Sequence, residues 1–176
     1  MPLDALRDQI PSYSQDLARN LSVLLDETTL TDQQTWGTLL ACAHAIGQPD
    51  TLRAIAAEAA GVLSPEAATA ARTASAIMGM NNVYYRALHL MHNREYEGLR
   101  SGLRMGALMT PGVDKVDFEL WCFAVSAVNG CGLCMDSHEK VLRDHGATAL
   151  QVQASLRIAA TVNAISAVLR AESALG

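Results

Sequence analysis

The chain has 176 residues, half of them apolar and 5% aromatic, with a formal net charge of −5. A domain of this length buries roughly 70% of the surface its unfolded chain exposes, so it needs no disulfide staples to fold. The acidic balance excludes nucleic acid and anionic membrane as partners, since both are held chiefly by basic surface, and four cysteines are too few for a secreted disulfide framework.

Abundant alanine and scattered β-branched residues favour an all-α fold, a compact multi-helix bundle rather than a sheet. The N-terminal Met-Pro-Leu-Asp-Ala-Leu-Arg-Asp mixes charges at once and lacks the basic-then-apolar layout of a signal peptide. No stretch approaches the ~18 apolar residues of a membrane span, so a soluble, cytoplasmic protein is expected.

In chain order, Thr31-Asp-Gln-Gln34 has the form of a capping box and opens an apolar run that stops at Gly47. Ser64-Pro65-Glu66 sets a cap before a first-turn proline, and Gly61 and the Thr110-Pro111-Gly112 corner punctuate the periodic segments. The cluster Met78-Gly-Met-Asn-Asn82, followed by Tyr84 and Tyr85, reads as close helix packing with Gly79 admitting a neighbour; lining a pocket or subunit contact is the second reading. Asp117 to Val128 reads as a helix stopped by Asn129-Gly130. Cys131-Gly-Leu-Cys134-Met-Asp-Ser-His138 opens another, and Thr148-Ala-Leu-Gln151 repeats the capping box ahead of the last. Nine or ten helices with short connections are expected.

Gln34-Thr-Trp36 with its apolar run and Glu119-Leu-Trp121 with its own look like distant copies, giving internal repeats over about 31–91 and 116–174. That register aligns Trp36 with Trp121, Ile46 and Pro49 with Cys131 and Cys134, and Arg53 with His138, so the first copy is scaffold.

The chemistry concentrates at Cys131 and Cys134. One helical turn apart, they fall within the ~4.4–6.8 Å Cα separation that a disulfide requires. His138, four residues beyond Cys134, is within reach of a hydrogen bond or one bridging water, and Glu119 on the preceding helix can fold back to orient it or accept a proton. A helix N-terminus and an imidazole both favour the thiolate, the first acting on Cys131 and the second on Cys134, so the residues alone leave open which cysteine attacks. A redox pair is one reading, a zinc site another, coincidental packing a third; Cys-x2-Cys-x3-His supplies three ligands where structural zinc wants four, with Glu119 as the one candidate fourth. Cys42 and Cys122, inside apolar runs, read as inert core thiols. His44 reads as a satisfied, partly buried residue, and His89, His92 and His145 as helix-end residues.

The combination Phe118-Glu119-Leu-Trp121, Phe123-Ala-Val-Ser-Ala and Asn129-Gly130-Cys131-x-x-Cys134-x-x-x-His138-Glu139 resembles the alkylhydroperoxidase D (AhpD) family of the carboxymuconolactone decarboxylase-like superfamily. Trp36-Gly-Thr-Leu-Leu, Ile77-Met-Gly-Met-Asn-Asn-Val and Gly102-Leu-Arg-Met extend the resemblance over nearly the whole chain. It implies a single AhpD-like domain over 1–176, a homotrimer, and an antioxidant enzyme reducing organic hydroperoxides. Electrons would come from a dihydrolipoyl group on a lipoyl carrier protein and pass also to a peroxiredoxin, alkyl hydroperoxide reductase C, with no bound cofactor or metal. It further implies that Cys134 becomes the sulfenic acid, that Cys131 is proton donor and resolving thiol, and that Glu119 and His138 relay protons. Family members can carry a histidine where this chain has Leu133, a departure that puts more of the relay on His138 and water. The competing expectations are a protein-disulfide reductase with little peroxidase activity, a zinc-stabilised helical interaction module, and a cysteine-independent decarboxylase or lactone-processing enzyme.

Overall fold

The computed structural model describes residues 2–176. Eight α-helices, α1 (Pro2–Asp8), α2 (Gln15–Asp26), α3 (Asp32–Ile46), α4 (Pro49–Ala59), α5 (Pro65–Leu90), α6 (Lys115–Val128), α7 (Gly132–Asp144) and α8 (Ala149–Leu175), are joined by short links and three 3-10 turns, at Ser12–Ser14, Arg94–Gly98 and Gly106–Leu108; no strand occurs among the described residues. The all-α expectation therefore holds, with fewer full helices than expected. The 24-residue stretch between α5 and α6 makes only two short turns: its side chains are exposed or half-buried, and only a few, Leu108 and Val113 among them, pack on the core, too few for the apolar stripe of a full helix.

The sequence-marked starts are where the helices begin. Thr31 and Thr148 form reciprocal capping boxes with Gln34 and Gln151, and the Ser64 hydroxyl accepts from the Ala67 N–H ahead of the first-turn Pro65. Gly47, at φ +71°, ends α3 in the left-handed conformation that only glycine adopts freely.

Helices α3 and α6 form the centre. Residues 34–43 other than Trp36 and residues 117–126 are buried without interruption, so neither helix shows an amphipathic stripe, as befits helices enclosed on all sides. Their crossing is set by Trp121, fully buried, whose ring lies against Gly37 and whose Nε1–H donates to the Gln34 carbonyl at 3.3 Å. Close helix packing thus occurs at Gly37; the open side of Gly79 meets nothing within 4 Å, which corrects the packing expectation for that residue. Buried Asp117 accepts from the amides of Gln33 (2.7 Å) and Gln34 (2.8 Å), tying the α3 capping box to the first turn of α6.

Helix α8, 27 residues with a window of mean hydropathy 1.4, is by length and composition long and apolar enough to cross a membrane, contrary to the expectation from sequence. Its apolar residues are needed inside the bundle, where it packs against α2, α3 and α6.

The succession α3–α4–α5 is followed by α6–α7–α8, and every one of these six helices begins at a side-chain cap. The caps are Thr31, Gln48 and Ser64 in the first three and Asp114, Cys131 and Thr148 in the second.

A Cβ added at position 37 would overlap the Cε2, Cζ2 and Nε1 atoms of Trp121. Gly37→Ala is therefore expected to destabilise the protein by about 1–3 kcal/mol or more through overpacking, measured as a lower midpoint in urea; an unchanged midpoint would show that the ring is free to move aside.

Candidate active site

The link from α6 to α7 is two helix ends fused at one residue. Asn129 closes α6, Gly130 follows at φ +67°, the Gly130 N–H donates to the Ala127 carbonyl and the Cys131 N–H to the Ser126 carbonyl, at 3.1 and 3.0 Å. These are the paired bonds of a Schellman ending. Cys131 is at the same time the N-cap of α7, its Sγ accepting from the Cys134 N–H at 3.3 Å. Helix α5 fixes this turn from the side: Asn82 donates to Ser126 Oγ and accepts from the Asn129 amide, both at 2.9 Å, and the Arg86 guanidinium donates to the Asn129 carbonyl.

Cys131 and Cys134 are joined as a disulfide, with Cα atoms 5.3 Å apart, as their spacing led us to expect. They differ in access. Cys131 is wholly buried, whereas Cys134, 6% exposed, lines a cavity of about 400 Å³ together with His138. The choice between the two that the residues left open is thus biased by geometry toward Cys134 as the sulfur a small molecule meets first.

His138 is held at both nitrogens. Nδ1 is 2.6 Å from Glu119 Oε2 and Nε2 is 3.2 Å from Met78 Sδ. Glu119 reaches across to His138, and Lys115 one turn earlier reaches its other oxygen at 2.8 Å. No direct hydrogen bond joins His138 to Cys134, since α6 and α5 hold both ring nitrogens, and the two side chains share the cavity wall. In the imidazolium form both N–H groups donate, one to a carboxylate and one to a thioether, a weak acceptor that a developing oxyanion can displace. Burial is the largest influence on Glu119 and raises its pKa; the hydrogen bonds and charges of His138 and Lys115 together outweigh it, holding the carboxyl below its ordinary value.

Most of the remaining cavity wall is apolar. Helix α5 contributes Met78, Asn81 and Tyr85 from one face, and the turn at Gly106–Leu108 brings Met105 and Leu108 across the opening. Leu133, 45% exposed, stands at the rim. The Met78–Asn82 cluster is therefore a site wall, the second of its two sequence readings, and its spacing on the helix carried that signal. Leu108 had none, since it lies in a stretch without periodicity, and Met105 was marked only as the end of Gly102-Leu-Arg-Met.

Burial pushes the Cys42 thiol up to about 12, and burial followed by the Glu119 charge pushes Cys122 well above its ordinary range. Both are inert core thiols as expected. His44 is exposed rather than partly buried, with Nδ1 3.1 Å from Ser75 Oγ. Among the described residues no group of three or more His, Cys, Asp and Glu side chains converges as metal ligands do.

Residues 95–175 match the carboxymuconolactone decarboxylase family. Over nearly its full length the chain is similar to proteins named alkyl hydroperoxide reductase AhpD. It is 65% identical to that of Maricaulis maris over 98% of this chain and 100% of the relative. The figure is 57% for Hyphomonas neptunium, over 99% and 97%, and 51% for Streptomyces coelicolor, over 99% and 98%.

The lowered pKa of Glu119 makes its ionised form stabilising. That contribution is full above its ordinary value of 4.5 and is lost as the pH falls through the lowered, folded-state value. The difference in urea midpoint between the parent protein and Glu119→Gln is accordingly expected to be largest near neutral pH and to shrink below pH 4.5; a difference that grows on acidification contradicts the assignment.

Proposed function

The chain belongs to the AhpD family of the carboxymuconolactone decarboxylase superfamily, and on that premise we propose that it is an antioxidant alkyl hydroperoxide reductase working through Cys134 and Cys131. The observation that carries this reading is the asymmetry of the pair: one sulfur on an apolar cavity beside His138, the other buried behind it at bridging distance.

In the dithiol state the first turn of α7 offers its free N–H groups to both sulfurs and favours the thiolate. The Cys134 thiolate attacks the terminal oxygen of the hydroperoxide. A sulfur–oxygen bond forms, the O–O bond breaks, and the alkoxide takes a proton from His138, which Glu119 orients, to leave as the alcohol. Cys131 then attacks the Cys134 sulfenic acid, its thiol proton leaves with the hydroxyl as water, and the disulfide closes with little backbone motion. The apolar walls suit the organic part of the substrate.

The disulfide is returned to the dithiol by a dihydrolipoyl group on a carrier protein, and the same dithiol regenerates a partner peroxiredoxin, alkyl hydroperoxide reductase C, in the cytoplasm where thiols are kept reduced. A homotrimer is what the family resemblance implies, and the exposed Leu90, Leu99 and Met109 around the stretch between α5 and α6 are apolar surface available for a subunit contact. Leu133 at the rim favours a second reading, a protein-disulfide reductase with little peroxidase activity, because exchange between disulfides needs less proton relay. Comparing rates with an organic hydroperoxide and with oxidised peroxiredoxin separates the two.

On mixing with an organic hydroperoxide, the dithiol form is expected to lose two thiols per peroxide. Cys134→Ser should abolish the reaction, Cys131→Ser should stop after one equivalent with one oxygen added by mass, and His138→Gln should slow it by roughly 10²–10⁴-fold. A fully active Cys134→Ser would sink the proposal.

A further inference from the structure

Two adjacent asparagines on α5 are buried, and only one is accounted for by the fold. Asn82, wholly buried, has both ends of its amide occupied by Ser126 and Asn129. Asn81, 5% exposed, has its Oδ1 buried with no hydrogen-bond partner among the described residues. Buried polar groups in folded proteins are nearly always paired, so an unpaired one asks for a partner from outside the chain. Asn81 shares the cavity wall with Cys134 and His138. Apart from His138, the polar groups there are the Tyr85 hydroxyl, Ser137, which is exposed, and this amide.

We propose that the Asn81 amide is a substrate-positioning group that accepts the O–H of a bound organic hydroperoxide and holds its terminal oxygen toward the Cys134 sulfur. This rests on the peroxidase reading above. A hydroperoxide carries one donor, its terminal O–H, and an amide that turns about its last side-chain bond presents either a carbonyl acceptor or an N–H donor to the cavity. With the O–H held by Asn81, the alkyl group lies along Met105, Leu108 and Leu133, and the inner oxygen, which becomes the alkoxide, is left to His138. The proton that Asn81 holds stays on the terminal oxygen through the step and becomes the sulfenic O–H, so the contact persists from substrate to intermediate. A dithiol reductant has no such O–H, and reduction of the disulfide makes no use of the group.

The test separates the two half-reactions. Protein in the dithiol form is mixed with cumene hydroperoxide, and protein in the disulfide form with dithiothreitol, each followed by stopped-flow tryptophan fluorescence. Asn81→Leu, near-isosteric but without the amide, is expected to lower the second-order rate with cumene hydroperoxide roughly tenfold, the worth of about one hydrogen bond, and to leave the dithiothreitol rate within about twofold. Asn81→Ala, a good helix former, should show the same split if the leucine variant packs poorly. Equal loss in both half-reactions would mean a structural role, and no loss in either would mean no role; both overturn the assignment while leaving the peroxidase reading intact. A parent protein inert to cumene hydroperoxide removes the peroxidase reading, and the assignment falls with it.

Discussion

The contact on which the rest of the molecule depends is the Trp121 ring against Gly37. It brings α6 close to α3, and the amide bonds from Gln33 and Gln34 to Asp117 fix where along α3 the first turn of α6 lies. Once the axis and register of α6 are set, the position of Glu119 on it is set, and so is the end from which Cys131 emerges. A polar network at one end and an aromatic ring in the middle therefore determine the placement of a sulfur pair several turns further on. Neither group touches the chemistry.

Around that axis the site is assembled from three helices with separate tasks. Helix α6 carries the carboxylate, α7 the imidazole and both sulfurs, and α5 the side wall. Each link is short and local: Lys115 to Glu119 within one turn, Glu119 to His138 across the α6–α7 corner, His138 to Met78 across to α5. Holding the imidazole from two sides reduces the reorganisation required when charge moves during reaction. Asn82, one residue beyond Asn81, binds α5 to the turn before Cys131, so wall and sulfur pair keep a constant distance.

Much of this was readable from the chain itself, for reasons that are local. The capping boxes at Thr31 and Thr148, the proline start at Pro65 and the Asn129-Gly130 stop are short-range chemistry, and each stands where the residues put it. The Cys131–Cys134 bridge and the Glu119–His138 contact also followed from spacing on helices joined by a tight turn. What escaped was long-range. Gly37 rather than Gly79 admits a neighbour because a tryptophan eighty-odd residues away chooses it. Met78 reaches His138 only once α5 is laid beside α7. Helix α8, apolar enough for a membrane by composition, is a core helix because its neighbours cover it.

Cys131 belongs to two helices at once, ending one and capping the next, and its bond to Cys134 spans a sequence separation of 3. A disulfide restrains an unfolded chain in proportion to the loop it encloses, and this loop is about as small as a disulfide can close. Opening the bond therefore releases little of the chain, and the Schellman turn and the Asn82 amide keep the backbone where it was. On the proposed chemistry, redox state and folding are thus largely uncoupled: the bond could open and close repeatedly without the architecture registering the difference.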